Sequence, residues 1–230
     1  MKEKENTTYK EITKGIFIYL LFFIFPIVFQ LVFYNFVTSD NNLVKSITLL
    51  ACEISLTIIL IILNKNKFKN CFKDFKKNRK EYFDICFKFW LLGFIAMSVS
   101  NLLINFFVTN GIANNEAINR TVLKEFVIYA VPAMCILGPI CEELAFRASF
   151  KNAIRNKKLF VFITSLLFAL AHIVSSYTGL TDFLYIFPYF FMGYALGHIY
   201  SKTDNILCNI SVHIFHNSLA ILSYLALLFI

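Results

Sequence analysis

Apolar stretches long enough to cross a bilayer occupy most of this chain, running over 15–37, 43–63, 83–108, 126–147, 158–178, 182–200 and 205–229. A hydrocarbon core takes about 20 helical residues to cross. Lipid offers no hydrogen bonds to the backbone, so a single apolar span of this length is a helix. The expected fold is all-α: a polytopic membrane protein of about seven transmembrane helices. Composition agrees, since 58% of the 230 residues are apolar and only 16% are charged, against roughly 25% in soluble domains.

The basic residues orient the spans. With a cytoplasmic N-terminus, the inner segments 1–14, 64–82, 148–158 and 201–204 hold 17 Lys and Arg, and the outer segments 38–45, 109–125 and 179–181 hold three, Lys45, Arg120 and Lys124. That asymmetry follows the positive-inside rule. Seven crossings would put the C-terminus outside. The net charge of +8 is then mainly a topology signal. The run 65-KNKFKNCFKDFKKNRK-80 reads as a solvated basic loop that can also meet anionic membrane lipid; nothing near it indicates nucleic acid.

The first span is about twice a signal-peptide core and lacks a small-residue cleavage pattern after it, so it reads as a retained helix. Cys52, Cys71, Cys86, Cys135, Cys141 and Cys208 lie in spans or the inner loop with no C-x-x-C pair. They read as small apolar residues rather than a disulfide frame or zinc knuckle.

Ionisable side chains inside a bilayer cost about 2.5–3.5 kcal/mol each on insertion scales and face protein or a water-filled cavity. Most of those in this chain follow residue 140. In 138-GPICEELAFRASF-150, Glu143 and Arg147 are four apart and share a helix face, so they can pair. Glu142 points about 100° away and stays available. Phe168 and His172 share a face in 168-FALAH-172, as do His213 and Asn217 in 213-HIFHN-217. The fourth cluster, 193-GYALG-197, is a small-xxx-small pattern that permits close helix approach. Glu53, in the second span, reads as a local helix–helix contact.

Depth relates these clusters. Segment 148–156 has no helix breaker, so span four is expected to continue as a helix to a turn near Asn156 and Lys157. Reflected about that turn, Glu142 meets His172 about 20 Å down an antiparallel hairpin, at 1.5 Å per residue. His213 enters at a similar level from the last hairpin. A Glu with a His can activate water as general base, and His and Asn suit an oxyanion. The set fits hydrolysis of a carbonyl substrate. Glu142, His172 and His213 could instead be three ligands of zinc with an open position, although the chain lacks H-E-x-x-H.

These motifs, E-E-x-x-x-R at Glu142, Glu143 and Arg147, F-x-x-x-H at Phe168 and His172, and H-x-x-x-N at His213 and Asn217, resemble those of the CPBP family. That family comprises the CAAX prenyl endopeptidases, the lysostaphin-resistance proteins and the bacteriocin-immunity (Abi) proteins. The stretch 191–217 is also similar to the family's, and the resemblance covers about 126–225. It implies a division into 1–125, N-terminal helices with the basic loop, and 126–225, a catalytic helical core. It further implies an intramembrane endopeptidase acting on a peptide or lipidated protein substrate. Glu142 and His172 would activate water, His213 and Asn217 would hold the oxyanion, and Glu143 with Arg147 would support the site. The family is conventionally described as metalloprotease, with a metal-free glutamate mechanism as the alternative. His198 and His216 match no motif position. A non-enzymatic immunity-type binder of the same fold is the competing reading, and an ion transporter a more distant one. A bilayer protein rich in Phe, Ile, Asn and Lys points to an AT-rich genome and a bacterial cell membrane.

Overall fold

The computed structural model describes residues 2–108 and 111–227. Met1, residues 109 and 110 of the expected outer segment, and residues 228 and 229 of the last expected span lie outside them. Helices of 18 residues or more are α1 (Lys2–Val32), α2 (Asn42–Leu63), α3 (Arg79–Phe107), α4 (Val127–Ala148), α5 (Lys157–Val174), α6 (Ile186–Thr203) and α7 (Ile206–Leu227). The described residues contain no strand, so the all-α expectation holds.

Six of these helices, all except α6, are long and apolar enough to cross a membrane. The expected count of seven is therefore corrected to six. The seventh stretch, 182–200, begins as a 3-10 turn over Leu180–Tyr185 and becomes α6, which carries Tyr, Gly, His and Lys along its length. Met192, Gly193, Ala195, Leu196, Gly197, Ile199 and Tyr200 of α6 are buried. A helix covered by protein need not present an apolar surface to lipid. With six crossings, parity no longer places the C-terminus opposite the N-terminus.

The chain forms two compact units. The first comprises residues 1–69, 122–153 and 210–230 and holds α1, α2, α4 and most of α7. Asn41 caps α2 by accepting from the backbone N–H of Leu43 at 2.9 Å, which satisfies an orphan donor of the first turn. Thr57 of α2 meets Cys141 of α4 at 3.1 Å. Phe146 of α4 is wrapped edge-on by Tyr19 and Phe22 of α1.

The second unit comprises 70–121 and 154–209 and holds α3, α5 and α6. The small-xxx-small pattern acts as expected: a Cβ on Gly193 would lie 3.2 Å from the Ser165 Cα of α5, and one on Gly197 3.4 Å from the Val161 Cα. On the other side of α6, a Cβ on Gly93 of α3 would fall 2.5 Å from the Ala195 Cβ. Glycine lets all three backbones close to contact. One carboxylate ties down the connection into α6. Asp182 Oδ2 accepts from the backbone N–H of Thr178 and Gly179 at 2.6 and 3.1 Å, and Oδ1 from Asn114 Nδ2 at 2.8 Å.

The expected helix over 148–156 does not form. After Ala148 the backbone bonds tighten stepwise, from Ser149 N to Leu144 O, through Lys151 N to Arg147 O, to Ala153 N onto Phe150 O. Ser149 Oγ also donates to Ala145 O, which competes with the regular ladder. The turn falls where expected, with Asn156 capping α5 through Lys158 N and Leu159 N.

Candidate active site

α4 is irregular at two places, and both bear on the site. Pro139 cannot donate to the carbonyl four residues back, and its ring crowds that carbonyl. The helix widens into a π turn over Ala133–Leu137, closed by Gly138 N–H on Ala133 O. Gly138 is required there: an added Cβ would sit 3.0 Å from Ala133 O and 3.9 Å from Glu142 Oε1. A second π segment, Glu143–Ala148, carries the acid and the arginine themselves. Such single-turn widenings collect at functional sites.

The expected Glu143–Arg147 pair forms, with Arg147 Nη1 donating to Glu143 Oε1 at 3.0 Å and both side chains wholly buried. The same oxygen lies 2.9 Å from His213 Nδ1. Glu143 therefore bridges α4 to α7 as well as pairing within α4. A carboxylate held by a guanidinium is an acceptor only, so the shared proton belongs to Nδ1. The other nitrogen, Nε2, lies 3.7 Å from Glu142 Oε2. That oxygen is buried without a hydrogen-bond partner among the described residues. Glu142 is thus the acid kept apart from the arginine.

Asn217, four residues beyond His213, donates from Nδ2 to Met134 O at 3.0 Å. It fastens α7 to the widened turn of α4, and its amide retains a second N–H. Glu53 of α2, read from the sequence as a local contact, accepts a hydrogen bond from Tyr129 and lies near enough to Glu142 for their charges to interact. The sequence displayed Glu53 as a buried acid, but Tyr129 carried no signal among so many aromatics.

His172 belongs to the second unit. Its Nδ1 is 2.9 Å from Phe168 O, one turn earlier in α5. A carbonyl cannot donate, so Nδ1 holds the proton and the lone pair is on Nε2. The ring lies 4.5 Å, centroid to centroid, from Tyr189 in a stacked arrangement and 4.4 Å from Phe168. The F-x-x-x-H spacing thus sets both the tautomer and one wall of the ring. Tyr189 had no sequence signal. His198 packs flat on Phe89 with ring centroids 5.0 Å apart.

The residue types would suit zinc, whose sites take His and carboxylate ligands. No three or more His, Cys, Asp or Glu are grouped to hold a metal among the described residues, and Glu143 is engaged by Arg147. Of the expected zinc set, Glu142 and His213 lie in the first unit and His172 in the second, and no step is routed through a metal.

Residues 124–219, which include all seven motif residues, match the family model of the type II CAAX prenyl endopeptidase, Rce1-like. This segment is an Rce1-like domain. Relatives extend the likeness beyond it. The chain is 29% identical over 165 residues, 69% of its length and 87% of the relative's, to UPF0177 protein YxdF of Lactococcus lactis subsp. lactis (strain IL1403). It is 24% identical over 216 residues, 87% of its length and 81% of the relative's, to the Bacillus subtilis (strain 168) protein named "Putative membrane peptidase YdiL". An uncharacterized protein of Mycoplasma capricolum is 26% identical over 213 residues, spanning 85% of this chain and 61% of the relative. No solved structure matches the chain. The Rce1-like domain contributes α4, α5, α6 and the first part of α7, so it supplies residues to both units.

Proposed function

We propose that the protein is an intramembrane endopeptidase that hydrolyses a peptide bond of a membrane-associated or lipidated substrate with a glutamate-activated water. Membership of its domain in a family of CAAX prenyl endopeptidases makes a peptide the substrate class. The observation that carries the reading is the division of labour between the two acids. Glu143 is committed to Arg147 and His213, whereas Glu142 Oε2 has no hydrogen-bond partner among the described residues and stands 3.7 Å from His213 Nε2. One water about 2.8 Å from each of those atoms would close the gap at an angle of roughly 80°.

In this mechanism Glu142 takes the water's proton, and for His172, its lone pair on Nε2, the family resemblance implies a part in activating water. The hydroxide adds to the scissile carbonyl. His213 Nε2–H and the second N–H of Asn217 donate to the oxyanion. Donation from Nε2 uses the imidazolium form of the ring, whose Nδ1–H is held by the Glu143 carboxylate. Glu142 then returns its proton to the leaving amine. Segment 126–225 is the catalytic core and 1–125 the accompanying helices, in a bacterial cell membrane with the N-terminus cytoplasmic.

Glu142→Gln tests this. The amide keeps the shape but cannot act as a base, so turnover of a membrane-reconstituted peptide should fall about 100- to 10,000-fold with an unchanged melting temperature. Full retention of the cellular phenotype by this variant would overturn the protease reading in favour of an immunity-type binder. Turnover by metal-free protein in chelator supports the glutamate mechanism; loss on chelation with restoration by zinc would refute it.

A further inference from the structure

A cavity of about 480 Å³ opens in the second unit between α3, α5 and α6. It is lined by Glu81, Asp84, Lys88 and Phe89 of α3, by Lys157 at the start of α5 and by Lys202 in the last turn of α6. Its volume is in the range of small-molecule sites, about 300–1,000 Å³. Three ammonium groups from three helices converge there. None forms an ion pair with Glu81 or Asp84 among the described residues. Lys202 Nζ lies 5.7 Å from the Phe89 ring centroid, a cation–π contact that fixes it at the cavity wall.

The depth of the cavity says what kind of ligand can reach it. α3 has 29 residues, about 43 Å at 1.5 Å per residue, so it overhangs a hydrocarbon core of about 30 Å by roughly 7 Å at each end. Lys88 is nine residues from Arg79, about 13 Å along the axis and so several ångströms below the polar boundary. Its stem reaches back to that boundary, as long basic side chains do. Lys157 begins α5, whose 18 residues span about 27 Å, close to the hydrocarbon thickness, and Lys202 lines the same cavity. The cavity thus spans the level of lipid phosphates and glycerol, with Phe89 on its acyl side.

Charge narrows the choice further. Three ammonium groups against two carboxylates leave one positive charge in the lining. A phosphodiester monoanion balances it. The two carboxylates are acceptors only, so the rest of the head group must bring O–H or N–H donors. Phosphatidylcholine brings none, and phosphatidylethanolamine adds a cation that leaves the excess charge in place. We propose that this cavity binds the head group of an anionic glycerophospholipid with free hydroxyls, phosphatidylglycerol being the simplest. The lysines take the phosphate, and Glu81 and Asp84 accept from the hydroxyls. This assignment is independent of the proposed proteolysis.

Native mass spectrometry of the delipidated full-length protein, titrated with phosphatidylglycerol, phosphatidylethanolamine or phosphatidylcholine, tests it. One phosphatidylglycerol should be retained per chain, at least about tenfold more tightly than phosphatidylcholine. Lys88→Gln and Lys202→Gln should each weaken it about fivefold, the effect of one basic residue near an anionic surface, while Lys88→Arg retains it. Lys69→Gln and Lys76→Gln in the basic loop should leave it unchanged. Equal retention of the three lipids by the wild type would overturn the assignment, whatever the variants do. So would an equal loss in the loop variants, which would assign the lipid to the loop. Complete displacement of the lipid by millimolar inorganic phosphate would make this a free-phosphate site and refute the lipid.

Discussion

Arg147→Ala is the most informative perturbation of the buried network. Arg147 is the largest of the wholly buried side chains, and its Nη1 holds Glu143 at 3.0 Å. Truncation removes that charge-assisted bond and leaves a carboxylate with no guanidinium beside it. Breaking one partner of a buried pair costs about 3–5 kcal/mol. At roughly 2–4 °C per kcal/mol for a chain of this size, the melting temperature should fall by about 6–20 °C. The assay is a thermal melt of detergent-purified protein followed by monodispersity, with turnover measured per folded molecule. Two further variants separate charge from volume. Arg147→Met refills most of the space and should recover little. The double variant Glu143→Gln with Arg147→Met removes both charges and should recover most of the stability, yet stay inactive because His213 loses its carboxylate. A melt of Arg147→Ala within about 2 °C of wild type, or full recovery by Arg147→Met alone, would refute the electrostatic account.

Gly138→Ala would drive a Cβ to 3.0 Å from the fixed Ala133 carbonyl; an overpacking cost of about 1–3 kcal/mol should appear in the melt, together with lower turnover because Glu142 is beside it. Asn217→Ala strips the partner from Met134 O and should cost about 1–3 kcal/mol, and turnover per folded molecule should drop roughly 100- to 1,000-fold if its second N–H serves the oxyanion. Hydrogen bonds from the backbone N–H of Thr178 hold the Asp182 carboxyl below its ordinary value, supported by those from Gly179 and Asn114. Its stabilising effect is therefore complete above the unfolded carboxyl value of about 3.9 and fades as pH falls through the lower folded value. Limited proteolysis should leave 175–185 protected at neutral pH and expose it in strong acid; Asp182→Asn should be cut at both.

Much of this site was legible in the sequence because its parts are local. Glu143 and Arg147 share a helical face whether the turn is α or π, so i,i+4 spacing suffices for the pair. His172 likewise obtains its tautomer from Phe168 O in its own helix. What depended on packing between helices was not legible. The bridge from Glu143 to His213 joins residues 70 apart, and no spacing rule reaches that far. The seventh span misled because hydrophobicity measures the residue and not what covers it: α6 is hidden by α3 and α5, not by lipid. The helix expected over 148–156 failed because absence of a breaker is a weak signal beside Ser149's bond to the backbone. Gly138 and Pro139 are two helix-poor residues in the sequence, but widening rather than a kink or a stop came from the Gly138 N–H finding Ala133 O.

The bridge through Glu143 also has a consequence for biosynthesis. The first unit draws its chain from 1–69, 122–153 and 210–230, so α4 is made before the helix that brings His213 exists. During synthesis Glu143 and Arg147 can neutralise each other as soon as α4 emerges, since both lie on one helix. His213 and Asn217 are the last components to arrive, and without His213 the partnership of the two acids with an imidazole does not exist. A nascent or C-terminally shortened chain thus inserts its charged helix safely but lacks the imidazole, so the proposed hydrolytic centre would form only once α7 has been threaded into the bilayer.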